Sequence, residues 1–425
     1  MSSRALPLLL ALALTSPAAR AQDAVPGLSR SYTLEEAERT ALNNNAALLS
    51  AQQDVTIAQQ RVQEAKFLFL PEVGLQASAT RYSARYPFAL PPEMRSILLF
   101  PSAHDYVYSG RSYLTQTLYS GGRILNLLHL AQTALKQAQS QYEAVKMDTT
   151  LGVREAFYKL VLAQSVAEAA QERLKYAQEA LARGYAGWER VEAESLTALL
   201  RARTSEANRA VENAALAFRR MINLELDTPV KVQGALETQQ VNLELNRAIV
   251  WAMELRPELQ AETYKAQIDD IGVSLAQSRR IPTVVLEGNY EVTGQQFPLR
   301  QNNWDATIGV KIPFSFDFGV QLRQKRAEKR QGEIKRAEAQ DKVRLEVRRA
   351  YGDLTYWQTE WPQREKEYVR LKTIADAAPM DARSLSPLRA QTALLDVQER
   401  YLTSVQEHIM ARARLERAMG RSLAR

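Results

Sequence analysis

The sequence predicts a mainly α fold with a β-barrel part: long antiparallel coiled-coil helices plus four membrane strands per chain, built from two structural repeats into a trimeric α/β-barrel tunnel. Three observations predict it. The chain is written twice, its helical stretches are too long for an ordinary domain, and its extended runs alternate between apolar and polar residues.

The repeat fixes the organisation. An offset of 211 matches Leu34 with Leu245, Ala37 with Ala248, Ala41 with Ala252, Leu48 with Leu259, Val62 with Val273, Ala65 with Ala276 and Pro71 with Pro282. Further on, Leu151, Val153, Ala156 and Leu160 match Leu345, Val347, Ala350 and Leu354 at an offset of 194, so the second copy is shorter between its strands. A repeat this long is two copies of one fold unit rather than a short-period solenoid. The expected divisions are a signal peptide (1–21), an N-terminal linker (22–32), a first repeat (33–222, hairpin 72–119), an equatorial connector (223–243), a second repeat (244–420, hairpin 283–318) and a tail (421–425).

At the start, Arg4 precedes an apolar run, Ala5 to Leu14, followed by Ala19-Arg20-Ala21. This is the order of charged, apolar and cleavage regions in a secretory signal, and the run is far short of the ~20 residues a membrane helix needs. Cleavage is expected after Ala21, which takes the formal charge from +7 to +5 by removing Arg4 and Arg20. No later apolar run is long enough to span a membrane as a helix.

Each copy then alternates helix and hairpin. A helix from Glu36 to Phe67 is stopped by Pro71, because proline removes an amide donor and clashes with the preceding turn. Two extended runs lead to a stretch from Ile124 to Arg183 interrupted only by Gly152, and a further helix runs to Ile222. The second copy reads the same way: Asn246 to Ser278, two strands, Val320 to Asp376, a break around Pro379, and a helix to Met419. At 1.5 Å per residue the long helix spans roughly 90 Å, about as far as the two shorter helices of its copy end to end. A seven-residue ladder, Leu128, Leu135, Tyr142, Thr149, Ala156, Ala163, Ala170 and Ala177, predicts coiled-coil packing along it. Leu388, Leu395, Leu402 and Ile409 do the same in the second copy.

The strands of the second copy set Val284, Leu286, Gly288, Tyr290 and Val292 against Val285, Glu287, Asn289 and Glu291. Their partner sets Trp304, Ala306, Ile308, Val310, Ile312, Phe314, Phe316 and Phe318 against Asp305, Thr307, Gly309, Lys311, Pro313, Ser315 and Asp317. A period of two puts one face in an apolar medium and the other in a polar one. Alternation in the first copy is weaker. Four strands cannot close a membrane barrel, and an open edge in lipid leaves backbone groups unsatisfied. Three chains would supply twelve strands. Glu287, Asn289, Glu291, Asp305 and Lys311 are then expected on the barrel lumen, since a Lys facing mid-membrane lipid costs about 2–4 kcal/mol.

Composition excludes much else. The chain has no Cys, which removes disulfides, thiolate metal sites, a thiol nucleophile and a lipidated N-terminal Cys. His104, His129 and His408 lie on separate elements, so neither a metal, a cofactor nor an enzymatic constellation is expected. The segment from Val320 to Arg349 carries eleven Lys or Arg and five Asp or Glu, but it mixes signs along a helix without interleaved aromatics and is not read as a nucleic-acid surface. Gly121 and Gly122 are read as a strand-to-helix turn.

Three segments carry a resemblance to a known family: TLEEAERTALNNNAAL (33–48), LTQTLYSGGR (114–123) and LSPLRAQTALLDVQERYLTSVQEHIMARARLERAMG (385–420). With them the whole mature chain resembles the TolC-like outer-membrane efflux proteins. The resemblance implies a homotrimer in the outer membrane of a Gram-negative bacterium, in contact with outer-membrane lipid and with a helical periplasmic tunnel. It further implies a passive exit duct for a tripartite efflux pump or type I secretion system, with a periplasmic adaptor (membrane fusion) protein and an inner-membrane transporter as partners. The alternative is a soluble periplasmic coiled-coil scaffold or adaptor. In such a duct the tips RGYAGWERVEAESL (183–196) and ADAAPMDARSLSPL (375–388) face the inner membrane, and both depart from the family's usual tip. Three-fold symmetry makes each tip residue a ring of three, so Asp376 and Asp381 are candidate gate rings, with Arg183, Arg190 and Arg383 as partners across the helix ends.

Overall fold

A computed structural model describes residues 30–81, 106–182, 184–294, 296–314, 316–377 and 384–423. The expected signal peptide, the long hairpin loop and the tip residues Arg183, Asp381 and Arg383 lie outside these. In chain order the elements are β1 (Arg30–Tyr32), α1 (Leu34–Asn44), α2 (Ala46–Phe67), β2 (Glu72–Arg81), β3 (Tyr106–Tyr119), α3 (Arg123–Ala182) and α4 (Gly187–Met221). They continue with β4 (Val230–Val232), α5 (Leu245–Leu255), α6 (Pro257–Ser278), β5 (Thr283–Gly294), β6 (Gln301–Lys311), α7 (Phe318–Ala377) and α8 (Ser386–Met419).

The single helix expected to open each repeat is two helices. In the first repeat Thr33 starts α1 with a capping box, its hydroxyl accepting from the Glu36 amide while Glu36 accepts from the Thr33 amide. The helix then breaks at Asn45, which is extended and whose side-chain oxygen accepts from the amides of Ala47 and Leu48 to begin α2. In the second repeat the break falls at Arg256, driven into the extended region because Pro257 follows. Pro257 is then tolerated in the first turn, where its missing amide is not needed.

The two long helices, α3 and α7, have 60 residues each. α7 is unbroken through Pro362, although that residue lacks the amide that would serve the Gln358 carbonyl. Next to the strands the lateral order is α2, α3, α6, α7, and in the other half it is α4, α3, α8, α7. Matched positions of the repeat build matched cores at the waist. Ala37, Ala41, Val153 and Leu160 are buried with Phe157 and Phe218 in one, and Ala248, Ala252, Val347 and Leu354 with Leu415 and Met419 in the other. A third core, Ala170, Ala177, Ala193, Leu200, Leu388 and Leu395, joins α3, α4 and α8 toward the tips.

Four strands form one antiparallel sheet in the order β2-β3-β5-β6. The expected hairpin over 283–318 is corrected at its end: β6 stops at Lys311, two residues before Pro313, which has no amide for a ladder. The described end of the expected linker (22–32) meets the expected connector (223–243). β1 pairs in parallel with β4, Arg30 opposite Val230 and Tyr32 opposite Val232. The described part of the tail is docked, with the Leu423 amide on the Glu416 carboxylate and the Arg421 guanidinium over the Trp251 ring.

Candidate functional site: a polar sheet face, a charged waist and the helix tips

Register settles which side chains share a face of the sheet. Leu286 lies opposite Ile308 and Tyr290 opposite Trp304, while Glu287 lies opposite Thr307 and Asn289 opposite Asp305. The polar side continues through Arg111 and Tyr113 of β3 to Gln76 and Gly74 of β2. All five residues expected on the lumen, Glu287, Asn289, Glu291, Asp305 and Lys311, fall on this side by strand parity. Three of them belong to hydrogen-bonded links: Asn289 accepts from Arg111 Nε at 3.0 Å and donates to Asp305 at 2.9 Å, and Glu291 accepts from Ser109 at 2.5 Å. Arg111 was not among the expected lumen residues, because the weak alternation of the first hairpin hides its parity. Gly121 and Gly122 lie between β3 and α3 with φ of +62° and +79°, and a Cβ on Gly121 would fall 2.4 Å from Ile281. Among the described residues, both β2 and β6 leave one edge unpaired.

At the waist the two repeats are joined by charge. Arg154 on α3 reaches Glu38 of α1 at 2.6 Å and Glu416 of α8 at 2.9 Å. Arg417 on α8 reaches Asp148 of α3 at 2.7 Å and Glu258 of α6 at 2.5 Å. Glu258 also holds Arg256, which is bonded in addition to Glu346 of α7. Apart from Arg256–Glu258, two residues apart at the start of α6, none of these pairs is legible from spacing, since each joins elements far apart in sequence. The connector is tied to the second repeat as well: Gln358 bonds both the amide and the carbonyl of Val241, and Thr238 bonds Nδ1 of the buried His408. Burial, followed by the nearby Arg412 charge, pushes the His408 imidazole down to about 4.

Among the described residues of the tips, Arg190 pairs with Glu194 at 3.0 Å on its own helix, its i,i+4 neighbour. Asp376 is exposed in the last turn of α7 and has no ion-pair partner among the described residues. Helices α4 and α8 are linked by a two-pronged pair, Arg389 to Glu192 at 2.5 and 2.7 Å, and by Arg203 to Asp396 at 3.6 Å. Hydrogen bonding to Arg389 lowers the Glu192 carboxyl below its usual range. Deeper in the same seam Arg173 is 5% exposed, and its only described hydrogen bond is to the carbonyl of Ala169. It is buried between the ladder positions Ala170 and Ala177, three residues after the first, where a coiled-coil seam ordinarily takes an apolar residue.

The described chain thus carries a sheet with one apolar and one polar face on helices about 90 Å long. Residues 38–224 match the family model described as outer membrane efflux protein. No curated protein matches the chain by sequence. Among solved structures it is similar to the CmeC outer membrane channel of Campylobacter jejuni, at 15% identity over 91% of this chain and 85% of that one, with a TM-score of 0.74. The outer membrane protein VceC of Vibrio cholerae is similar at 15% identity over 92% and 96% of the two chains, TM-score 0.74. The open state of the MtrE outer membrane channel of Neisseria gonorrhoeae gives 16% identity, 92% and 89% coverage and a TM-score of 0.76. The family match is thus confined to the first repeat, while the fold shared with these outer-membrane channels extends over both repeats, in agreement with the fold that the resemblance implies.

Proposed function

We propose that three copies of this chain form a passive exit duct in the outer membrane, serving a tripartite efflux pump or a type I secretion system and gated at its periplasmic helix tips. The observation that carries this reading is the pair of sheet edges left unpaired among the described residues. β2 and β6 bound the sheet, and the helices connected to them, α2 and α7, bound the helical layer. Joining the β2 edge of one copy to the β6 edge of the next satisfies the backbone in lipid and closes a twelve-stranded barrel from three copies. The polar face carrying Arg111, Glu287, Asn289, Glu291, Asp305 and Lys311 becomes the lumen. At the far end Asp376 forms one acidic ring, and Arg389–Glu192 is a candidate restraint between the hairpins. The exposed tips are the surface offered to a periplasmic adaptor, which in turn engages an inner-membrane transporter.

Detergent-purified protein is expected to have the mass of three chains and to conduct in planar bilayers, with Asp376→Ala altering conductance or cation selectivity. Recovery as a monomer in the aqueous fraction without pore activity overturns the duct and favours a periplasmic scaffold. Unchanged conductance and selectivity in Asp376→Ala removes the acidic ring from the gate.

A further inference from the structure

The two repeats enter their long helices with different charge. α3 begins at Arg123 and has no further Lys or Arg until Lys136, whereas the same length of α7 holds Arg323, Lys325, Arg326, Lys329 and Arg330. Two of these are neutralised: Lys325 pairs with Glu328 at 2.6 Å and Lys329 with Asp270 of α6 at 2.6 Å. Glu333, the next acid along α7, acts electrostatically on Lys329. Arg323, Arg326 and Arg330 are exposed and have no acidic partner among the described residues. Their i, i+3, i+7 spacing sets them on one side of the helix.

Their height matters. α7 starts where the sheet ends, so a rise of 1.5 Å per residue places Arg323 to Arg330 roughly 8–18 Å below the start of the helix. Immediately above them Ile312, Phe314 and Phe316 are exposed, and Arg280 at the end of α6 lies over the Phe318 ring at 4.7 Å. Exposed aromatics over unpaired guanidinium groups reproduce the order of a membrane boundary, apolar rings at the hydrocarbon edge and cations at the headgroups. A guanidinium binds phosphate in a two-pronged geometry that water-exposed Lys does not offer.

We propose that Arg323, Arg326 and Arg330 form a binding site for anionic phospholipid headgroups of the periplasmic leaflet, present on the second repeat and missing from the first. The site rests on the membrane-spanning duct reading and adds to it a lipid that anchors one side of each subunit.

The test uses the full chain in nanodiscs of phosphatidylcholine alone or mixed with cardiolipin. Cardiolipin is expected to raise the thermal midpoint of the wild-type protein, and salt to weaken the shift. The triple variant Arg323→Gln, Arg326→Gln, Arg330→Gln should lose most of it while Lys136→Gln retains it, with conductance in planar bilayers unchanged in both. An equal shift in the triple variant, or none in the wild type, overturns the site. A triple variant that alters ion selectivity and keeps the lipid shift places the arginines in the lumen and also overturns it. Wild-type protein that forms no conducting pore is a failure of the duct itself, read separately from the lipid shift.

Discussion

The two repeats break the same helix at matched positions, Asn45 and Arg256, and hold the break with different chemistry. In the first repeat every partner is neutral. Asn45 caps α2 and donates to the Met221 carbonyl at 3.2 Å, while Asn223, at φ +55°, donates to the Asn44 carbonyl at 3.0 Å. In the second repeat the side chain at the break is a guanidinium, 3% exposed and held by Glu258 and Glu346. Gly420, at φ +70°, lets the end of α8 press on the Leu255 carbonyl, where a Cβ would come within 3.1 Å. Backbone geometry is thus conserved between the copies while its support is not. The neutral solution loses one hydrogen bond when it is damaged; the charged one strands a buried cation.

That difference can be broken directly. The largest expected effect is in the double variant Glu258→Gln, Glu346→Gln, which leaves Arg256 buried without a carboxylate and should lower stability by about 3–5 kcal/mol in denaturant unfolding. Next is Arg173→Met in the seam of α3. Its counterpart at the offset of 194 is Glu367, exposed on α7, so only the first repeat buries a charge there. Removing that charge while keeping the volume should stabilise the tip-proximal coiled coil by roughly 1–4 kcal/mol, read as slower hydrogen exchange around Leu200 and Leu388.

Acid sharpens the contrast. The folded His408 holds its imidazole at about 4 against an ordinary 6.5, so the unfolded chain takes up a proton first as pH falls. Its contribution to stability is complete above pH 6.5 and is lost between 6.5 and 4. Wild-type melting temperature should fall across that window more steeply than that of His408→Gln. The smallest effect is expected at the neutral break, where Asn45→Ala removes one cap for about 1 kcal/mol.

How much of this was legible follows from what each feature depends on. The break at Arg256 could have been read from Pro257, which restricts the residue before it. The break at Asn45 had no such signal, because three Asn stand in a row at 43–45 and their order does not say which one caps; Asn45 is the one whose amide also donates to the Met221 carbonyl, 176 residues away. The polar face of β5 and β6 was plain from alternation. Arg111 was hidden because β3 presents Tyr, Gly and Ser on its other side, with a register shift between Thr117 and Tyr119.

By itself, then, the sequence determined the duplicated unit, the two long helices and the two-faced sheet, because periodicity is a local property that states which side of an element must leave water. Only the tertiary structure decided that β1 pairs with β4, that Arg154 and Arg417 bind the repeats together, and that Glu192 meets Arg389 while Arg190 stays on its own helix. Charge pairing at these distances has no sequence period. It depends on which helices lie side by side and at what height, and packing of the two cores at the waist sets both.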